Sequence, residues 1–169
     1  PLAKAGADYV LNFVNEESIL TKIRAIIEVE TPIESGLLLE KLMALYNVPK
    51  TAKKAVQTLI GYIEQFAALR CEFKGIVFFA DKPAETFRPI DVKNARDLSK
   101  VHPEEIIASA KCAIECSLHI KKDELIKEVL NLFNCPKKTK AVIDWLDYCI
   151  ENAIKNGELM TTVDDYLVI

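Results

Sequence analysis

Two lysine-rich turns carry the clearest chemistry in the chain. Asn47-Val48-Pro49-Lys50-Thr51-Ala52-Lys53-Lys54 is answered 87 positions later by Asn134-Cys135-Pro136-Lys137-Lys138-Thr139-Lys140. Each turn runs into an apolar, periodic stretch, so its lysines gather at a helix N-terminus, where an exposed cation costs about 0.3–1 kcal/mol against the helix dipole. A local rule broken in both copies fits an anion site, in which backbone N–H groups and lysines together hold a phosphate. The alternative is that they are solvated residues, copied together when the unit was duplicated.

Other reactive types point to packing. Cys112 and Cys116 are four residues apart with His119 nearby, but zinc requires four converging ligands. With Cys71, Cys135 and Cys149 they make an odd set without a CxxC pair, which predicts core thiols in a reducing, cytoplasmic setting. His102 and His119 have no serine or cysteine partner at motif spacing, and structural roles are expected. No GxxxxGK[ST], GxGxxG or paired-carboxylate signature occurs, so a non-catalytic segment without cofactor or metal is expected. No apolar run approaches the roughly 18–20 residues that span a bilayer, and a soluble chain is expected. Beginning at Pro1 without a methionine, it reads as a piece of a longer protein whose neighbours carry the chemistry.

The elements that position the turns emerge from a self-comparison. Ile19–Glu64 aligns without a gap on Ile106–Glu151, and thirteen of 46 positions are identical, among them Ile27/Ile114, Ile33/Ile120, Leu38/Leu125, Pro49/Pro136, Lys53/Lys140 and Leu59/Leu146. That predicts a tandem duplication of a unit of about 65 residues, near the lower size at which a core stands alone. In each copy Ile19, Ile23, Ile26, Ile27, and then Ile106, Ile107, Ala110, Ile114, form the stripe of a first helix. Asn15 caps the first, and His102-Pro103-Glu104-Glu105 opens the second. A short extended segment fits at Thr31-Pro32-Ile33 and Leu118-His119-Ile120. A second helix carries Leu38, Leu42 and Leu45, or Leu125, Val129 and Leu132, and must stop near Asn47 or Asn134 because a proline follows. A third helix is expected over about Thr51–Leu69 and Lys138–Asn156, terminated at Gly157 in the second copy. Hairpins follow, with tips at Lys74-Gly75 and Val163-Asp164-Asp165.

Helix, short strand, helix, tight turn, helix and hairpin are the parts of a winged helix. The expected fold is therefore mainly α with small β-hairpins, in tandem duplicated winged-helix-like units: an arm over 1–14, unit 1 over 15–80, a linker over 81–101 and unit 2 over 102–169.

A DNA-binding winged helix places its third helix in the major groove and its wing on the backbone, so those faces should be basic or neutral. The first copy passes, offering Lys50, Thr51, Lys53, Lys54, Gln57 and Thr58, with Lys74 on the wing. In the second copy the turn lysines Lys137, Lys138 and Lys140 precede an acidic stripe of Asp144, Asp147 and Glu151, and the wing carries Asp164 and Asp165. Residues 15–80 hold eight basic and eight acidic side chains, whereas 102–169 hold eight and twelve. The second unit thus suits a protein partner, with Trp145 and Tyr148 beside the stripe as an aromatic patch or, alternatively, as cover for the edge of the core.

Glu30-Thr31-Pro32-Ile33, the lysine turn, the strand Ile76-Val77-Phe78-Phe79 and Pro103-Glu104-Glu105-Ile106 together resemble the uncharacterised tandem domain near the C-terminus of bacterial and archaeal superfamily one helicase-like proteins. The resemblance covers nearly the whole chain. That domain commonly follows a restriction-endonuclease-like module, so the resemblance implies an accessory piece of a DNA-transacting machine. The family's turn tends toward arginines flanking a glycine; Lys50-Thr51-Ala52-Lys53 here keeps the charge without the bidentate fork, which favours phosphate contact over base readout. The expected partners are DNA and the rest of the parent chain or another protein. The alternative to DNA binding is a docking module without it, supported by the net charge of −3.

Overall fold

The computed structural model describes residues 15–91, 96–117, 119–135 and 138–169. The chain divides into two compact units, Pro1–Pro83 and Ala84–Ile169. Each is mainly helical with a small antiparallel sheet.

In the first unit α1 spans Glu16–Glu30, started by Asn15, whose side chain accepts a hydrogen bond from the Glu17 amide. Strand β1, Ile33–Glu34, leads into α2, Ser35–Leu45, whose first amides, Gly36 and Leu37, donate to the Glu34 carboxylate. Helix α3 covers Lys53–Glu64, a 3-10 turn follows over Ala67–Leu69, and β2 (Arg70–Phe73) and β3 (Ile76–Phe79) form the hairpin. β3 lies between β1 and β2, with Ile33 opposite Phe79 and Cys71 opposite Phe78.

The second unit repeats this order. A 3-10 turn at Leu98–Lys100 precedes α4 (Pro103–Ser117), β4 (Ile120–Lys121), α5 (Lys122–Leu132), α6 (Lys140–Lys155), β5 (Met160–Thr161) and β6 (Tyr166–Val168). β6 again occupies the centre of its sheet, with Ile120 opposite Leu167. The repeated residues build equivalent cores: Ile19, Ile27, Leu38, Leu42 and Leu59 are buried in one unit, and Ile106, Ile114, Leu125, Val129 and Leu146 in the other.

The repeated turn is a helix terminator. Asn47 and Asn134 both take φ 51°, the left-handed region that asparagine tolerates better than most side chains. The next amide reaches back to close α2 or α5, from Val48 to the Met43 carbonyl (2.8 Å) and from Cys135 to that of Leu130 (2.9 Å). Gly157, at φ 74°, ends α6 the same way, with the Glu158 amide on Ala153 (2.8 Å). The left-handed conformation accounts for the asparagine shared by the two turns without any ligand.

Three expectations are corrected here. The third helices begin two residues later than expected, at Lys53 and Lys140, and the first ends at Glu64 before the 3-10 turn. The segment expected as a linker belongs from Ala84 onward to the second unit: Leu98 and Val101 are buried, and the Ile90 amide donates to the Phe133 carbonyl (3.0 Å). Its described parts form a strap that meets the start of α4 through Ala84 and Arg88 and the end of α5 through Ile90, with no helical face to bury. The arm at 1–14 lies outside the described residues.

Candidate nucleic-acid interface

Helix α3 turns Ala55, Leu59 and Ile63 into the core, and the 3.6-residue period therefore carries Lys53, Lys54, Gln57 and Thr58 to the solvent side. Ala52, which starts the helix, supplies no side-chain cap. The Lys53 amide donates to the Thr51 carbonyl (3.0 Å), and the next amides of α3, those of Lys54 and Ala55, stand without a side-chain cap beside two exposed ammonium groups. Neither lysine makes an ion pair among the described residues. Lys74 sits at the hairpin tip with φ 51°, followed by Gly75 at φ 81°, a pair of left-handed residues that reverses β2 into β3.

Two members of this face are committed elsewhere. Lys50 donates to Glu40 at 2.8 Å, and that carboxylate holds the ammonium above the ordinary lysine range. Both partners are exposed, so the pair is readily traded for a phosphate oxygen. The Thr58 hydroxyl donates back to the Lys54 carbonyl (3.0 Å) inside the helix, and its contribution outward falls to its acceptor lone pairs. Thr51 is exposed in the turn.

In the second unit Lys138 and Lys140 are exposed, and Lys137 lies outside the described residues. The acidic stripe is partly neutralised. Lys122, at the start of α5, pairs with Asp147 (2.8 Å) and with Glu151, which straps α5 to α6. Burial lowers the affinity of Lys122 for its proton, and the two carboxylates outweigh it, leaving the pKa raised. Asp144 is the member of the stripe left exposed. The Trp145 patch is also corrected: the indole is buried and donates from Nε1 to the Val101 carbonyl at 2.8 Å. Tyr148 stacks on it, with ring centroids 5.4 Å apart and an interplanar angle of 22°. Trp145 is therefore a core residue that fastens the strap to α6.

The most buried ion-pair cluster among the described residues was not legible in the sequence. Glu105, 1% exposed, receives Arg88 at 2.7 Å and Arg96 at 2.8 Å. Burial alone pushes its carboxyl up; the two guanidiniums outweigh burial and hold it below the ordinary glutamate range. At the same helix start, His102 Nδ1 accepts from the Glu104 amide (3.3 Å), and burial holds the imidazole below the ordinary histidine range. Two arginines in an aperiodic segment were the signal, since buried arginine requires a carboxylate. Among the cysteines, Cys149 is buried and Cys116 is exposed, and no group of three potential metal ligands occurs among the described residues. No helix among those residues is long and apolar enough to cross a membrane.

Comparison with family models, with curated proteins and with solved structures finds no match.

Proposed function

We propose that the chain is a pair of winged helices acting as a non-catalytic accessory module of a helicase or nuclease protein, which engages DNA through phosphate contacts of the first unit. The observation that carries this reading is α3: an uncapped N-terminus with Lys53 and Lys54 exposed on the same outward side as Gln57, and no ion pair to either lysine among the described residues. Support for the winged helix comes from the element order and from sheets in which the last strand lies between the first two. The Lys74-Gly75 hairpin tip supplies a basic wing for the flanking phosphates.

Fluorescence anisotropy with labelled duplex and single-stranded DNA at two salt concentrations tests it. Each phosphate neutralised contributes a slope of about −0.9 in log K against log salt on duplex. Affinity is expected to fall with salt and to collapse when Lys50, Lys53 and Lys54 are changed to glutamate. Absence of binding to either nucleic acid at low salt refutes the reading.

A second reading, docking to another protein, is favoured by an apolar cavity of about 480 Å³ in the first unit, lined by Leu39, Ile60, Ile63, Val77 and Phe79. The equivalent stretch of the second unit carries the Lys122 strap instead. Binding of DNA that survives the triple glutamate change at high salt belongs to neither reading.

A further inference from the structure

We propose that the apolar groove of the first unit docks a partner protein through a lysine set among apolar residues, with the ammonium on Glu64. The inference rests on the docking reading, to which it gives the partner's chemistry, and it stands apart from DNA binding on the lysine face of α3.

The second unit shows what fills the corresponding place. Its Lys122, the first residue of α5, reaches across to α6 and sets its ammonium on Asp147 (2.8 Å) and Glu151. The positions 87 residues earlier are Ser35, Ile60 and Glu64. All three line the cavity of about 480 Å³ between the start of α2, the end of α3 and the hairpin. The first copy therefore has the equivalent of Glu151 but neither the lysine nor the second carboxylate. Leu39 and Ile63, which also line the cavity, match Ile126 and Ile150. Both copies thus share the apolar positions, and the first lacks the side chain that spans them.

The groove suits a lysine from outside. Its volume falls in the range that holds a ligand, about 300–1,000 Å³, and Val77 and Phe79 of β3 add a further apolar wall. Glu64 stands exposed one turn beyond Ile60 and makes no ion pair among the described residues. Arg70, the other charge in the lining, donates to Glu72 at 3.1 Å. The charge left over at the rim is accordingly negative, which selects a cation. An acidic group finds no open donors at the start of α2, because the Gly36 and Leu37 amides already donate to Glu34. A lysine lays its apolar stem along Ile60 and Ile63 and keeps its ammonium in water beside Glu64.

The test uses n-hexylammonium as a probe for the side chain, with hexanol and hexanoate as neutral and acidic references. Each is titrated into the full chain carrying ¹³C-labelled isoleucine, leucine and valine methyls. Saturable shifts at Leu39, Ile60, Ile63 and Val77 are expected, with the ammonium binding about two- to fivefold tighter than the alcohol, as an exposed ion pair allows, and the acid binding weakest. Glu64→Gln should bring the ammonium down to the level of the alcohol. Ser35→Lys combined with Ile60→Asp rebuilds the strap of the second unit and should abolish the shifts at Leu39 and Ile63. Should that variant not fold, Lys122→Ser combined with Asp147→Ile reads the same question in reverse, and Ile126 and Ile150 should then respond to the ammonium. Equal binding of the three probes, tighter binding of hexanoate, an order unchanged by Glu64→Gln, or no saturable shift overturns the proposal. Of these, only the last also removes the groove from the docking reading. Sedimentation of the wild-type chain examines the other occupant: a dimer that the rebuilt strap dissociates assigns the groove to a second copy and overturns a separate partner. None of these results bears on the lysine-to-glutamate experiment on α3.

Discussion

Glu105→Gln isolates the energetic centre of the second unit. The substitution keeps the shape of the side chain and removes its charge, leaving Arg96, 6% exposed, facing a neutral amide. Removing one partner of a buried ion pair costs about 3–5 kcal/mol, because the remaining charge stays desolvated. Arg88 is 27% exposed and recovers part of its hydration, which places the expected loss at the lower end, about 3 kcal/mol. A unit the size of Ala84–Ile169 has a total stability of about 4–13 kcal/mol, so this one change removes a large share of it. The assay is urea unfolding of the intact chain followed by tryptophan fluorescence. Trp145 is the chain's one tryptophan and is buried against Val101, so its emission reports the second unit. The pH dependence provides a second readout. With the folded pKa of Glu105 depressed, its contribution is present above the unfolded glutamate value of about 4.3 and lost as pH falls through the lower folded value. The gap between wild type and Glu105→Gln therefore narrows below about pH 4.3. His102, held low by burial, makes both proteins lose stability on acidification, and Glu105 is one of the carboxylates that draws its pKa back up, so the variant loses more through His102 as pH falls below the ordinary histidine range and the Glu105 signature is read below about pH 4.3. A variant within 1 kcal/mol of wild type at neutral pH, or a gap that goes on widening below about pH 4.3, would refute the reasoning.

Two further outcomes follow from packing. Trp145→Phe strands the Val101 carbonyl in the core and should destabilise the second unit by about 1–3 kcal/mol, measured by circular dichroism in urea since the fluorophore is gone; a neutral effect removes the assigned fastening of the strap. Leu59→Ala, at a fully buried position, should cost the first unit about 2–5 kcal/mol. The tryptophan transition of the second unit should stay at its wild-type midpoint, and a matching shift there would contradict two separate cores.

The parts of the fold that were legible are those fixed within a few residues along the chain. Isoleucines and leucines at three- and four-residue spacing place the six helices of the described residues, because a helix buries one face whatever lies opposite. The internal repeat doubled that signal: Leu38 and Leu125, like Ile33 and Ile120, are buried at matching places. The terminators were only half legible. Proline announced the end of α2 and α5, but the left-handed Asn47 and Asn134 and the reach of the next amide are backbone geometry.

The candidate site divides along the same line. Lys53, Lys54 and Gln57 face outward, a direction that follows from helical period alone. Tertiary structure decided the remainder: that Asp147 and Glu151 meet Lys122, that Trp145 points inward, and that Arg88 and Arg96 converge on Glu105 from 17 and 9 residues upstream. Spacing says which side of its own helix a side chain occupies; a charge or an indole finds its partner on another element, and which element covers that side is set by how the strap and helices pack.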